Sequence, residues 1–190
     1  MVAVDDALSR FLGEAGEGAL TLFAASCVER GSGVFFLALA YDESRGGDVE
    51  EYARFLDDLW SGTSLSLRDR ESHQGRIDSF PEMQGEEEPP GIMAFAYDAV
   101  AAMYYSYAYL VSGDSINVKY CSNHMLNSAG YIDDAVPGSS NRYEDEIAEQ
   151  LGAVEALSSD LSKVEAAVLR ERARAMGRDR VDALRIAFSE

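Results

Sequence analysis

Nothing in the chain restricts the fold more than residues 92–112, IMAFAYDAVAAMYYSYAYLVS, where six aromatic rings and one acid, Asp98, stand among small and aliphatic side chains. Such a stretch must hide on nearly every side, in a membrane or in a protein interior. A bilayer crossing needs about 20 apolar residues, so the length suffices. The other marks of a span are missing. Asp98 falls inside the run, four of the six aromatics are tyrosines crowded between 104 and 109 instead of forming a belt at each end, and the upstream GEEEPPG has no Lys or Arg. No membrane partner is expected. Pro89, Pro90 and Gly91 before the run and Gly113 after it are helix punctuation, with Gly113 placed for a left-handed cap. The run is therefore predicted as the central helix of a bundle.

The remaining segments also read as helices. Residues 3–12 form a short amphipathic helix. GALTLFAASCVER (18–30) and the run from Val34 make a helical hairpin turning at GSG. In 48–61, Val49, Tyr52, Phe55, Leu56, Leu59 and Trp60 make one apolar stripe, with Asp48 placed as N-cap. Residues 62–91 are polar and proline-rich, with a short helix expected over 66–79 and then a loop. A further helix over about 115–136 is capped by Asp114 or Ser115. The strongest periodicity lies in 141–176, where Tyr143, Ile147, Leu151, Val154, Leu157, Leu161, Val164 and Val168 recur at steps of four and three. That pattern predicts one long amphipathic helix, ended by Gly177 before a last short one. No segment alternates as a strand would. The chain is expected to be all-α, a single-domain helical bundle of about seven helices with an apolar central helix and one long C-terminal amphipathic helix.

The composition restricts function as well. Of 190 residues, 34 are acids and 16 are bases, a formal net charge of −18 that repels nucleic acids. No nucleic-acid partner is expected. Two cysteines, Cys27 and Cys121, are too few for a disulfide framework, and the acidic N-terminal stretch lacks the basic, continuously apolar pattern of a signal peptide. Both observations suit a cytoplasmic protein. Cys121 and His124 share a helix face, but Cys27 and His73 would have to complete a metal set and their spacing lacks a zinc signature. No metal and no cofactor are expected. Phosphate loops, nucleophile elbows and zinc-protease motifs are absent, which favours a binding role over an enzyme.

Two candidate sites remain. Acid clusters at Glu50 and Glu51, Asp57 and Asp58, Glu86, Glu87 and Glu88, and Asp133 and Asp134 form a candidate surface for a basic protein partner. The alternative is a small-molecule pocket or active site at Asp98 with Tyr104, Tyr105 and Tyr107. Asp98 is expected to take Arg30 or another base as its partner in a structural ion pair. A homodimer seated on the long helix, through residues such as Ala148, Ala156 and Ala166, is a further reading of the partner question.

LFAASCVER (22–30), FLDDLW (55–60), AYDAVAAM (96–103) and LVSGDS (110–115), followed by an amphipathic helix from about Tyr143, resemble the YjaG-like family of uncharacterised bacterial helical proteins. The resemblance runs from about residue 18 to the end. It sets Cys27, Glu29 and Arg30 against a Cys–Glu–Arg group of the family and Asp98 against the aspartate of its central helix. The resemblance implies a compact all-helical fold. Relatives of this kind are proposed as immunity proteins in bacterial toxin systems, which implies a basic toxin, of nuclease type, as partner.

Overall fold

The computed structural model describes residues 2–40, 42–61, 65–85, 91–136, 141–158 and 163–188. Over these residues the chain is an all-α bundle, with no strand among them: α1 (Val2–Glu14), α2 (Glu17–Leu39), a 3₁₀ turn (Glu43–Arg45), α3 (Gly46–Ser61), α4 (Leu67–Asp78), α5 (Pro81–Gln84), α6 (Ile92–Ser112), α7 (Ile116–Ala135), α8 (Arg142–Leu157) and α9 (Lys163–Ala187). Nine helices are described where about seven were expected.

Local signals place the helix ends well. Gly113 adopts φ +71° and its N–H donates to the Tyr109 carbonyl at 2.8 Å, closing α6 as a left-handed cap. Ser66 Oγ accepts from the Asp69 N–H and opens α4. Asp114 Oδ1 accepts from the Ile116 N–H at the start of α7. Asp48 does not cap α3, which begins two residues earlier at Gly46; its carboxylate instead receives Arg45 at 2.8 Å and Arg76 at 2.6 Å.

The expected hairpin at GSG is replaced by one continuous helix, α2. Gly31 and Gly33 mark close approaches there. A Cβ at Gly31 would lie 3.0 Å from Met125 Cε, and one at Gly33 would lie 2.9 Å from Val181 Cγ2. Each glycine costs about 1 kcal/mol of helix propensity relative to Ala, which tight packing of α7 and α9 against α2 offsets. Gly177 works in the same way. It does not end a helix: α9 runs through it, and a Cβ there would meet the Glu29 and Arg30 carbonyl oxygens at 3.3 Å.

The centre of the bundle is α2 more than α6. It touches α3, α6, α7, α8 and α9. By length and composition α2 would suffice to cross a membrane, but 78% of its most apolar window is buried inside the fold. Beside it, Phe35 stacks on Tyr52 with ring centroids 4.5 Å apart and on Phe80 at 6.0 Å. Each fully buried ring of this kind contributes roughly 1.5–3 kcal/mol by leaving water. Tyr52 and Tyr107, both buried, donate their hydroxyls to the carbonyls of Ala99 and Phe55.

The single long helix expected over 141–176 is two helices, α8 ending at Leu157 and α9 beginning at Lys163. Of its apolar stripe only Leu157 is buried among the described residues, and Leu161 and the Val164 side chain lie outside them. α8 buries Arg142, Glu146, Glu149, Gln150, Ala153 and Leu157, whereas Tyr143, Ile147, Leu151 and Val154 are half-buried. Val168, at the end of the stripe, is 56% exposed. α9 packs through Leu169, Ala173, Gly177, Arg180 and Leu184 instead. A polar face turns inward because the core already holds the charge that pairs with it.

Candidate functional site

That charge is Arg30. It lies one turn after Ser26 and Cys27 on α2, so all three side chains leave the helix on one face. Arg30 and Glu146 of α8 are both fully buried, and Arg30 donates Nε to Glu146 Oε2 and Nη2 to Oε1, each at 2.8 Å. This is the bidentate geometry in which a guanidinium and a carboxylate bind most strongly. A second buried guanidinium, Arg180 of α9, donates Nη2 to Glu146 Oε2 at 2.5 Å. Gln150, one turn after Glu146, donates Nε2 to Glu146 Oε1 at 2.7 Å and accepts from the Ser122 hydroxyl at 2.6 Å. Three helices thus converge on one carboxylate, and α7 joins them through Gln150.

Burial alone would raise the pKa of Glu146, but the charges of Arg30 and Arg180 reverse the effect and hold it below the usual carboxylate value. The two arginines differ. Burial works against the charge of Arg30, yet the Glu146 carboxylate lifts its pKa above the ordinary value. Arg180, with one bond to the same carboxylate and Arg30 as a neighbouring cation, is brought below it by burial.

Both cysteines sit at the edge of this cluster, fully buried. Arg30 Nη2 donates to Cys27 Sγ at 3.2 Å, and the Ser106 hydroxyl donates to Cys121 Sγ at 3.4 Å. Burial opposes ionisation of Cys27, but its hydrogen bond with Cys121 and the Arg30 charge outweigh it, and its pKa falls. For Cys121, burial and the Cys27 neighbour push the pKa well up. His73, the other residue considered with them, stands apart among the rings of Phe55 and Tyr107. Among the described residues no group of three or more His, Cys, Asp and Glu side chains is placed to hold a metal ion.

Asp98 does not meet Arg30. Its Oδ1 lies 2.8 Å from His124 Nδ1, and the two are one pair on α6 and α7. Around them Tyr105 stacks on the His124 ring at 5.4 Å, Tyr120 follows at 5.1 Å from Tyr105, and Tyr97 stands edge-on to His124. Tyr104 meets Tyr105 edge-on. Tyr107 points the other way, into the core against Phe55 and His73, so the four residues of the sequence pocket do not share one surface. Tyr120 was not among the expected pocket residues; at 44% exposed it is the outermost ring of this patch.

The acid clusters separate into engaged and unengaged residues. Glu51 receives Arg76 at 2.5 Å. Asp57 is taken by Arg170 of α9. Asp133 accepts from the backbone N–H groups of Arg142 and Tyr143 at 3.0 and 2.9 Å, fixing the start of α8. Glu50, Asp58 and Asp134 make no ion pair among the described residues. Glu86, Glu87 and Glu88 lie outside the described residues.

Three clefts among the described residues lie elsewhere on the surface. One, between α1, α2 and α8, is lined by Phe11, Ala19 and Leu157. Another follows the α2–α9 crossing beside Gly33 and Gly177. The third, of about 430 Å³, separates α8 from α9. Arg180 and Arg142 form part of its wall, both committed to acids: Arg180 to Glu146, and Arg142 to Asp179 at 3.0 Å.

No family model, no curated protein and no solved structure matches this chain.

Proposed function

We propose that the protein is a cytoplasmic, non-enzymatic, acidic binding module that captures a basic protein, in the manner of an immunity protein neutralising a nuclease-type toxin. One observation carries the reading: with 34 acids and 16 bases, 18 acids would remain in excess even if every base were paired. Such an excess steers a cationic partner toward the surface and opposes nucleic acids and anionic lipid. The acids offered to the partner are those that internal pairs leave over, Glu50 and Asp58 on α3 and Asp134 at the end of α7. Glu51, Asp57 and Asp133 serve the fold first. A second copy of the chain, seated on Ala148, Ala156 and Ala166, would find further exposed apolar side chains in the C-terminal segment, such as Val168, Ile186 and Phe188.

The test is affinity capture at low salt from the native lysate with elution by rising salt, followed by titration of the purified basic partner. Glu50→Lys, Asp58→Lys and Asp134→Lys together are expected to weaken binding at least tenfold, and physiological salt to weaken it further. Binding indifferent to both salt and charge reversal would sink the reading.

A small-molecule site is favoured by the Asp98–His124 pair with Tyr105 stacked on the imidazole and Tyr97 and Tyr120 beside it. Such a patch suits a planar ligand that stacks on the rings and hydrogen-bonds the histidine. Chemical-shift changes confined to these residues on adding planar aromatic compounds, and absent in His124→Ala, are the expected signature.

A further inference from the structure

The cleft between α8 and α9 is lined by an acid with an acceptor that no described residue donates to. Glu149 is 8% exposed, and its Oε2 is held by Arg172 Nη2 at 2.7 Å. No donor among the described residues reaches its Oε1, which is buried, and Glu149 is one of the residues that line the cleft. A buried carboxylate oxygen without a donor costs free energy on the order of 1–3 kcal/mol or more. It therefore marks a place where a hydrogen-bond donor from outside the chain belongs.

The surroundings define that donor's molecule. Asp145, exposed on α8 one turn before Glu149, adds a second negative group at the same wall. On α9, Arg172 spends one nitrogen on Glu149 while its side chain is 51% exposed, so it keeps further N–H groups for hydrogen bonds outside that pair. Beside this pair the lining includes the apolar side chains of Ala148, Ala175 and Met176, and the charged Arg142, Asp179 and Arg180. At about 430 Å³ the cleft falls within the roughly 300–1,000 Å³ usual for small-molecule sites.

We propose that the α8–α9 cleft binds a free α-amino acid as its zwitterion, with the ammonium group on the Glu149 and Asp145 carboxylates, the carboxylate on Arg172, and an aliphatic or thioether side chain against Ala148, Ala175 and Met176. An amine without a carboxylate meets the acids but also the neighbouring guanidiniums, and an anion meets the acids; only a molecule carrying both charges answers both walls. This site is separate from the acidic surface of the protein-binding reading, and its test does not depend on a protein partner.

The experiment is isothermal titration calorimetry of the full chain with a panel of free L-amino acids, including leucine and methionine, at millimolar concentration and low salt. At least one aliphatic or thioether amino acid is expected to bind, and its N-acetyl and amide derivatives to bind at least tenfold more weakly. Glu149→Gln, which turns the unpaired acceptor into a site that no longer attracts an ammonium, is expected to lower affinity at least tenfold, as is Arg172→Gln. Helicity by circular dichroism checks the fold of each variant, and Arg172→Gln, at a half-exposed position, stands in if Glu149→Gln does not fold. No heat for any amino acid would overturn the proposal and leave the cleft to water. Equal affinity for the amide derivative, or no loss in a folded Glu149→Gln or Arg172→Gln, would overturn it too.

Discussion

A carboxylate gripped by two guanidiniums out of reach of water is hard to replace one partner at a time. Glu146→Leu leaves Arg30 and Arg180 as buried cations without a counter-ion, and such losses typically cost about 3–5 kcal/mol. Urea unfolding is expected to show a loss of that size, whereas Glu50→Leu on the surface stays within about 0.5 kcal/mol. The same pair sets a pH dependence. The folded pKa of Glu146 lies below its unfolded value of about 4.3, so its stabilisation is complete above that value and is lost as pH falls through the folded one. His73 acts in the same sense, since burial lowers its pKa: protonation favours the unfolded chain, and stability falls as pH drops below about 6.5. Stability measured from pH 7 down to pH 3 should decline in two stages, the upper one removed by His73→Phe; a single stage unchanged by that substitution would count against the histidine. The sequence lists all these residues but not their partners. Arg30 finds Glu146 across 116 positions, and Asp98 finds His124 across 26.

Glycines decide much at the scale of the helix, and they do opposite things. At Gly113, with φ +71°, the sequence reading and the structure agree that the residue ends a helix. At Gly31, Gly33 and Gly177 the same residue type lets helices touch, and local context alone gave no sign of it. Gly177→Ala places a Cβ 3.3 Å from two backbone carbonyl oxygens that cannot step aside. Overpacking of this kind costs about 1–3 kcal/mol, more than the roughly 1 kcal/mol that alanine returns in helix propensity, so net destabilisation is expected. Gly75→Ala is the control: it lies within α4 with nothing within 4 Å of the new methyl, and a gain of about 0.5–1 kcal/mol is expected. Thermal denaturation of the two variants checks both signs, and a stabilised Gly177→Ala would refute the close approach of α9 to α2.

On the scale of the molecule, charge is divided between body and C-terminal helix. α9 carries seven bases and four acids in a chain of net charge −18, and it lies against acids of other helices. Arg170 and Arg174 share Glu29 of α2 at 3.0 and 2.9 Å, Arg172 holds Glu149, and Arg180 holds Glu146. Part of the acidity that the sequence offers to a partner is thus spent on the chain's own last helix. The outer pairs are partly exposed and worth roughly 0–1 kcal/mol each, while 18 excess acids repel one another over the whole surface. Salt screens both effects, and the repulsion is the larger. The melting temperature is expected to rise between low and physiological ionic strength; a steady fall would mean that the exposed pairs of α9 dominate.

The sequence by itself determined the all-helical class, the ends of α4 and α6, the apolar stripe of α3 and the sign of the surface charge. Each of these is written within a few residues, in caps, punctuation and periodicity, or in a sum over the chain. Tertiary structure decided that α2 runs unbroken through GSG at the centre, that 141–176 divides into two helices, and that α8 turns Arg142, Glu146 and Gln150 inward while Ile147 and Leu151 stay half-buried. Periodicity favours the opposite face of α8 because it weighs each side chain alone. A buried Arg30 changes that balance: packing Glu146 against it, with Gln150 holding the same carboxylate, satisfies charges that an apolar face would leave without partners.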